Sequence, residues 1–225
     1  MISRAQFEQI LSGSQESEVN LVFLGMSGSG KSHWSKKLEK ERGMRRIEFD
    51  ARIGTSVELE DLLMDFSGKD VAEKMGNYFG MPWDAKFEEK ERQYLAIEKK
   101  MMRNYSGRGE VLDLTGSAIY HPEELQNIAR TGLVIYLQPN EEAKKILFES
   151  YKSDPKPVCW NGVFQPKEGE SSQEALERCF WNLLDYRIGQ YEKHADITIA
   201  FPVHRGAKTL EELEEAICKQ LIMDN

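Results

Sequence analysis

The chain has no long hydrophobic run. Among its 225 residues no apolar stretch reaches the roughly 20 needed to span a bilayer. The opening MISRAQFEQILSGSQ also lacks the apolar segment of a secretory leader. These absences argue against a membrane role and lead us to expect a soluble, cytoplasmic protein. Cysteine is scarce. Cys159, Cys179 and Cys218 are widely spaced and odd in number, so they suggest neither a disulfide framework nor a metal-ligand pattern. Each reads as a small buried hydrophobe. Surplus positive charge is missing too: 30 Lys and Arg stand against 38 Asp and Glu, a net charge of −8. Neutralising a nucleic-acid backbone needs the opposite balance. A general nucleic-acid surface is therefore excluded, while a local basic pocket is not. The four histidines, His33, His121, His194 and His204, form no metal or triad pattern. Internal repeats and low-complexity tracts are absent.

What is present is a 40% hydrophobic chain, enough for the core of one domain over residues 1–225. A short helix is expected at 3–12, ending near Gly13, then a polar connector. Apolar runs rich in β formers predict strands at 19–24, 45–49, 110–114, 132–138 and 196–201. Helical patterns fall between them at 31–42, 56–66, 84–104, 121–130, 140–150 and 172–194, with a closing helix at 209–222. Strands alternating with helices predict a mostly parallel sheet covered on both faces. Two stretches break the pattern. Residues 67–83 are interrupted by glycines and a proline and read as an insert. Residues 151–171 shift to Pro, Gly, Lys and Trp, long for a structureless loop and so expected to be functional or disordered.

Between the first strand and the first long helix stands GMSGSGKS, Gly25 to Ser32, which satisfies the P-loop pattern. Its glycines allow backbone angles closed to other residues. Successive N–H groups then converge on phosphate oxygens, aided by the dipole of the following helix. We assign Gly25, Met26, Ser27, Gly28, Ser29, Gly30, Lys31, Ser32 and His33 to the nucleotide cradle. Lys31 would reach the terminal phosphates, and the Ser32 hydroxyl would ligate Mg²⁺. The expected cofactors are ATP and Mg²⁺, and the expected fold is a P-loop NTPase sandwich of three layers. The guanine-specifying N-K-x-D is absent, which argues against a GTPase. The short chain favours a small phosphotransferase.

Beyond this loop the sequence resembles the shikimate kinase family. The fuller spelling Gly25-x-x-Gly28-x-Gly30-Lys31-Ser32 is typical of that family. EFDARI, Glu48 to Ile53, is similar to its D-x-D-x-x-I, and FEEKE, Phe87 to Glu91, to its F-R-x-x-E. TGS, Thr115 to Ser117, falls where the family has a glycine-rich turn. Arg187-x-x-x-Tyr191-x-x-x-Ala195-Asp196 matches its R-x-x-x-Y-x-x-x-A-D. The resemblance implies an ATP-dependent kinase acting on a hydroxyl of a small metabolite. It also implies substrate-side roles for Asp50, Glu88, Thr115, Gly116, Ser117 and Arg187. Glu88 replaces an arginine that grips the family's anionic substrate, so like-charge repulsion predicts a neutral or cationic acceptor such as a sugar or polyol.

Phosphoryl transfer needs positioning and charge stabilisation more than covalent chemistry. Lys31, Asp50 and Arg187 are the expected catalytic residues. Asp50 would orient the acceptor hydroxyl; it also suits a helix cap. Glu48 would hold a Mg²⁺-bound water, or simply lie solvated on its strand. Asp113 would act as an acid behind the cation, and Tyr191 would pack. Residues 151–171 suit a lid that excludes water, with Lys152 or Lys156 neutralising charge and Trp160 stacking on a base or packing as a hinge. Its 152–167 stretch contains no arginine. That shortage motivates a second reading, a nucleotide-responsive regulatory protein. Nucleoside monophosphate kinases and polynucleotide 5′-hydroxyl kinases are a third. They require clustered arginines, and only Arg52, Arg92, Arg103 and Arg108 occur between 48 and 120.

Overall fold

The computed structural model describes residues 4–11, 18–153 and 157–223. Its centre is a sheet of five parallel strands in the order β2-β3-β1-β4-β5. These are β1 (Asn20–Leu24), β2 (Arg45–Glu48), β3 (Glu110–Asp113), β4 (Gly132–Leu137) and β5 (Ile197–Ile199). Val22 lies opposite Leu112 on one side and Val134 on the other. A parallel sheet covered by helices must be apolar on both faces, and every residue of β1 and β3 is buried.

Side-chain alternation sorts the two layers. Leu21 and Phe23 pack with Phe7 of α1 (Arg4–Leu11), Trp34 and Leu38 of α2 (Lys31–Arg42), and Leu213 of α11 (Leu210–Met223). Val22 and Leu24 face the other way. There they meet Tyr94 of α6 (Phe87–Arg103), Leu125 of α7 (Pro122–Ala129), Phe148 of α8 (Glu141–Ser153) and Leu183 of α9 (Ser172–His194). The three-layer sandwich expected from the sequence is the one observed. Local chemistry sets several boundaries. Gly43, with φ of 69°, closes α2 by donating its N–H to the Glu39 carbonyl. Ser171 and Glu174 form a reciprocal cap at the start of α9. Among the described residues no helix is long and apolar enough to cross a membrane.

Four expectations need correction. β2 stops at Glu48, because Phe49 turns into the core and opens α3 (Phe49–Gly54), so Asp50 sits in a helical first turn. Helix α4 (Val57–Leu63), capped by Ser56, is shorter than expected. The 67–83 stretch carries a helix, α5 (Val71–Phe79). The Asp70 side chain accepts the Glu73 N–H at its start, Gly80 ends it, and Tyr78 and Phe79 anchor it in the core. Finally, β5 ends early. Pro202 favours a helical first turn, and α10 (Phe201–Gly206) occupies the expected strand end. Gly13 and the connector over residues 12–17 lie outside the described residues.

Asn20 ties the base of the sheet together. It is fully buried. Its side chain donates to the Gly107 carbonyl at 3.1 Å and accepts the Glu110 N–H at 3.0 Å. Asn20→Ala leaves that N–H unpaired and should destabilise the protein by about 2 kcal/mol in a denaturant titration.

Candidate active site

At the end of β1 the chain turns through Gly25, Gly28 and Gly30, with φ of 144°, 76° and 105°. A Cβ on Gly25 would stand 3.0 Å from the Ser29 hydroxyl and 3.1 Å from the Leu137 carbonyl, so glycine is required by angle and by space. Lys31 opens α2 and is buried. Its ammonium donates to the Gly25 and Met26 carbonyls at 3.0 Å each. Burial pushes its pKa down, against the fields of Asp113 and Asp50. The Ser29 hydroxyl is buried with no hydrogen-bond partner. A cramped glycine turn, a buried ammonium and an orphaned hydroxyl at a helix N-terminus together fit phosphate oxygens. Met26 is buried in the core, and His33 packs edge-on to Trp34, outside the cavity described below.

Three acids lie beside the loop. Glu48 and Asp50 line a cavity of about 560 Å³ together with Ser27, Gly28, Lys31 and Ser32. Solvent reaches Asp50 through that cavity, while protein crowds its other sides. This partial desolvation pushes its carboxyl up to about 6; Lys31 opposes the shift and Glu98 adds to it. Asp113 is buried at the end of β3, within hydrogen-bond reach of Ser35 on α2 and of Arg46. Among the described residues no group of three or more His, Cys, Asp or Glu is arranged to hold a metal. Ser32 with a nearby carboxylate still fits Mg²⁺, which takes most of its ligands from phosphate and water.

Helix α6 contributes two buried acids to which the sequence assigns no role, Glu91 of the FEEKE stretch and Glu98. Its buried stripe is Phe87, Glu91, Tyr94, Glu98 and Met102. Glu98 is completely buried. It accepts from Thr115 at 2.5 Å and Ser117 at 2.6 Å, and pairs with His121 at 2.8 Å. The 115–117 turn is thus held from beneath by a carboxylate. Glu91 accepts the backbone N–H groups of Trp160 and Asn161. The signal was available: acids at 91 and 98 share the helical register of Phe87, Tyr94 and Met102. Glu88, by contrast, is exposed and absent from the cavity lining. The like-charge argument built on it therefore does not apply.

Arg187 on α9 is buried and lines the cavity. It donates to the Tyr120 hydroxyl at 3.1 Å and to the Cys159 carbonyl at 2.6 Å, neither of them an anion. One guanidinium nitrogen faces Gly116, and Tyr191 donates to the Gly116 carbonyl at 2.6 Å. The 151–171 stretch is less free than expected. α8 continues to Ser153, and Trp160 is only 1% exposed, packed against Tyr151, Phe164 and Phe180. It is not available to stack on a base. Lys152 pairs with Glu177 at 2.9 Å and does not line the cavity. Lys156 lies outside the described residues. The far wall of the cavity is apolar, made by Ile53, Val71, Met75, Phe79 and Tyr94. From the 67–83 stretch, Val71, Ala72, Met75 and Phe79 line this cavity. Glu98→Ala would leave three buried groups without their partner and should cost about 3 kcal/mol in thermal or denaturant unfolding.

Known proteins place this arrangement. The family model for shikimate kinase matches residues 60–221. That span begins beyond the phosphate loop, so loop and match are separate observations. A shikimate kinase of Prosthecochloris aestuarii is 30% identical over 203 residues, covering 88% of this chain and 87% of that protein. One from Dehalococcoides mccartyi is 25% identical over 201 residues, covering 89% and 94%. Among solved structures, shikimate kinase from Acinetobacter baumannii in complex with shikimate superposes with a TM-score of 0.55 at 19% identity, covering 95% of this chain and 98% of that one. The enzyme from Bacteroides thetaiotaomicron gives 0.54 at 17%, covering 90% and 98%. At such identities the structures speak for the fold, while the sequence matches run across most of the chain: this protein belongs to the shikimate kinase family of P-loop phosphotransferases.

Proposed function

We propose that the protein uses Mg²⁺-bound ATP, in the cytoplasm, to phosphorylate a hydroxyl of a small metabolite. The observation that carries this reading is convergence. One cavity of about 560 Å³ takes in Lys31, Ser32, Glu48, Asp50, the 115–117 turn and Arg187. In this reading the loop from Gly25 to Ser32 cradles the phosphates and Lys31 holds the transferring group. Ser32 ligates the cation and Glu48 accepts from one of its waters. Asp50 orients the acceptor hydroxyl and takes its proton. With Glu88 turned to solvent, acceptor selection falls to Arg187 and the apolar wall from α3 and α5. A buried arginine whose hydrogen bonds go to neutral groups suits an anion. We therefore replace the polyol expectation with a hydroxylated compound that has an apolar face and a negative group. Shikimate, a hydroxylated ring carboxylate bound in the Acinetobacter baumannii structure, is the first candidate.

The test is incubation with Mg²⁺-ATP and shikimate, other hydroxy acids, sugars, polyols and nucleosides, with products followed by mass. A phosphoester is the expected result. Tight ATP binding without any product across the panel would support the regulatory reading instead. Lys31→Ala should weaken ATP binding at least about tenfold. Asp50→Asn should bind ATP normally and lose roughly a hundredfold in turnover. Equal loss of ATP affinity in both variants would remove Asp50 from the acceptor side. Because the Asp50 carboxyl titrates near 6, its working carboxylate form is depleted as pH falls through that value. The rate should drop on that acid limb, and Asp50→Asn should lack the limb.

A further inference from the structure

Arg46 has no task in the reading above, yet its placement is unusual. It lies on β2, an edge strand, where a long charged side chain ordinarily reaches for water. Here the side chain is turned inward and is 9% exposed. The guanidinium has three partners on three elements. Nε donates to Ser35 Oγ on α2 at 2.8 Å. One terminal nitrogen pairs with Glu48 Oε2 on β2 at 2.7 Å, the other with Asp113 Oδ2 on β3 at 3.0 Å. Ser35 stands three residues after Ser32 on the same helix, and Glu48 lines the cavity beside Ser32.

Stability alone does not explain such a cluster. Taking the arginine and the Asp113 carboxylate out of water costs about as much as their attraction returns, and apolar residues of similar volume serve as well, while Glu48 stays a third exposed. What a planar fork supplies is geometry, since its donors fix several acceptors at set angles. Arg46 holds one oxygen of Glu48, a residue that also lines the cavity. Through Asp113 and Ser35 it also braces the first turns of α2, which carry Ser32.

We infer that Arg46 is the positioning residue of the divalent-cation site, holding the Glu48 carboxylate where a water on the cation meets it. The inference rests on the ATP–Mg²⁺ reading of the cavity. Groups of this kind, one layer behind a metal's ligands, set affinity by orienting what lies in front of them.

Calorimetric titration of the full chain with ATP, once in EDTA and once with saturating Mg²⁺, gives the factor by which the cation strengthens binding. Arg46→Lys keeps the charge and loses the fork. In this variant the factor should fall about tenfold while metal-free ATP affinity stays within about twofold. The Mg²⁺ concentration for half-maximal turnover should rise in step. Glu48→Gln should behave like Arg46→Lys, and Arg46→Met should lower the factor at least as far. Should Arg46→Met fail to fold, the other two variants carry the test. A wild-type factor in folded Arg46→Lys would make Arg46 an internal brace only and overturn the inference. A larger factor in Arg46→Met would mean that the arginine competes with the cation, and would overturn it too. Wild-type protein that binds no ATP in either condition would remove the kinase reading and this inference together, a result distinct from both.

Discussion

The pairing of β1 with a parallel neighbour on each side governs the placement of every functional group in this protein. β3 and β4 bracket it in register from Leu21 to Phe23, so it has no freedom to slide. Its carboxyl end therefore opens at one point, beside the end of β3 and the Leu137 carbonyl of β4. The chain leaves β1 for the β2 edge, returns through β3 and then crosses to β4. Such a reversal leaves a crevice at the strand ends, where open α/β sheets bind ligands. Gly25 is pressed into that crevice, and Lys31, Asp50 and the Thr115 turn follow from the same placement.

Much of this was legible in the sequence because the deciding interactions are local. α2 and α9 begin and end where the sequence places them, since Gly43 and the Ser171–Glu174 cap act within a few residues. The phosphate loop was readable for the same reason. Other elements depend on distant partners. Phe49 and Phe201 look like strand residues in isolation. Phe49 is buried against the helical layer, and Pro202 bends the chain after β5 into a helix. Gly76 and Gly80 both read as breaks; Gly80 does end α5, while Gly76 is carried inside it, where packing of Tyr78 and Phe79 overrides its weak propensity.

The site's polar layer was the least legible part. Similarity at FEEKE places Glu88 at a substrate-contacting position, but a helix turns about 100° per residue. The buried face passes through Phe87 and Glu91 and leaves Glu88 in solvent. The acid that matters is three residues further on. Glu98 and His121 come together only in the fold, from α6 and the entry to α7. Arg46 gave no local sign at all, since an arginine on a short strand is ordinarily an edge residue facing water.

Arg187 holds the Cys159 carbonyl with one nitrogen and presents another toward Gly116. One side chain is thus shared between the cavity and the segment that Trp160 and Glu91 fix to the body. Contacts of this kind work in both directions. If the position of Cys159 alters how Arg187 meets a ligand, then the ligand alters the hold on Cys159 by the same free energy. On that condition the segment would be tied to occupancy of the cavity by reciprocity, and its order would serve as a readout of what the cavity contains.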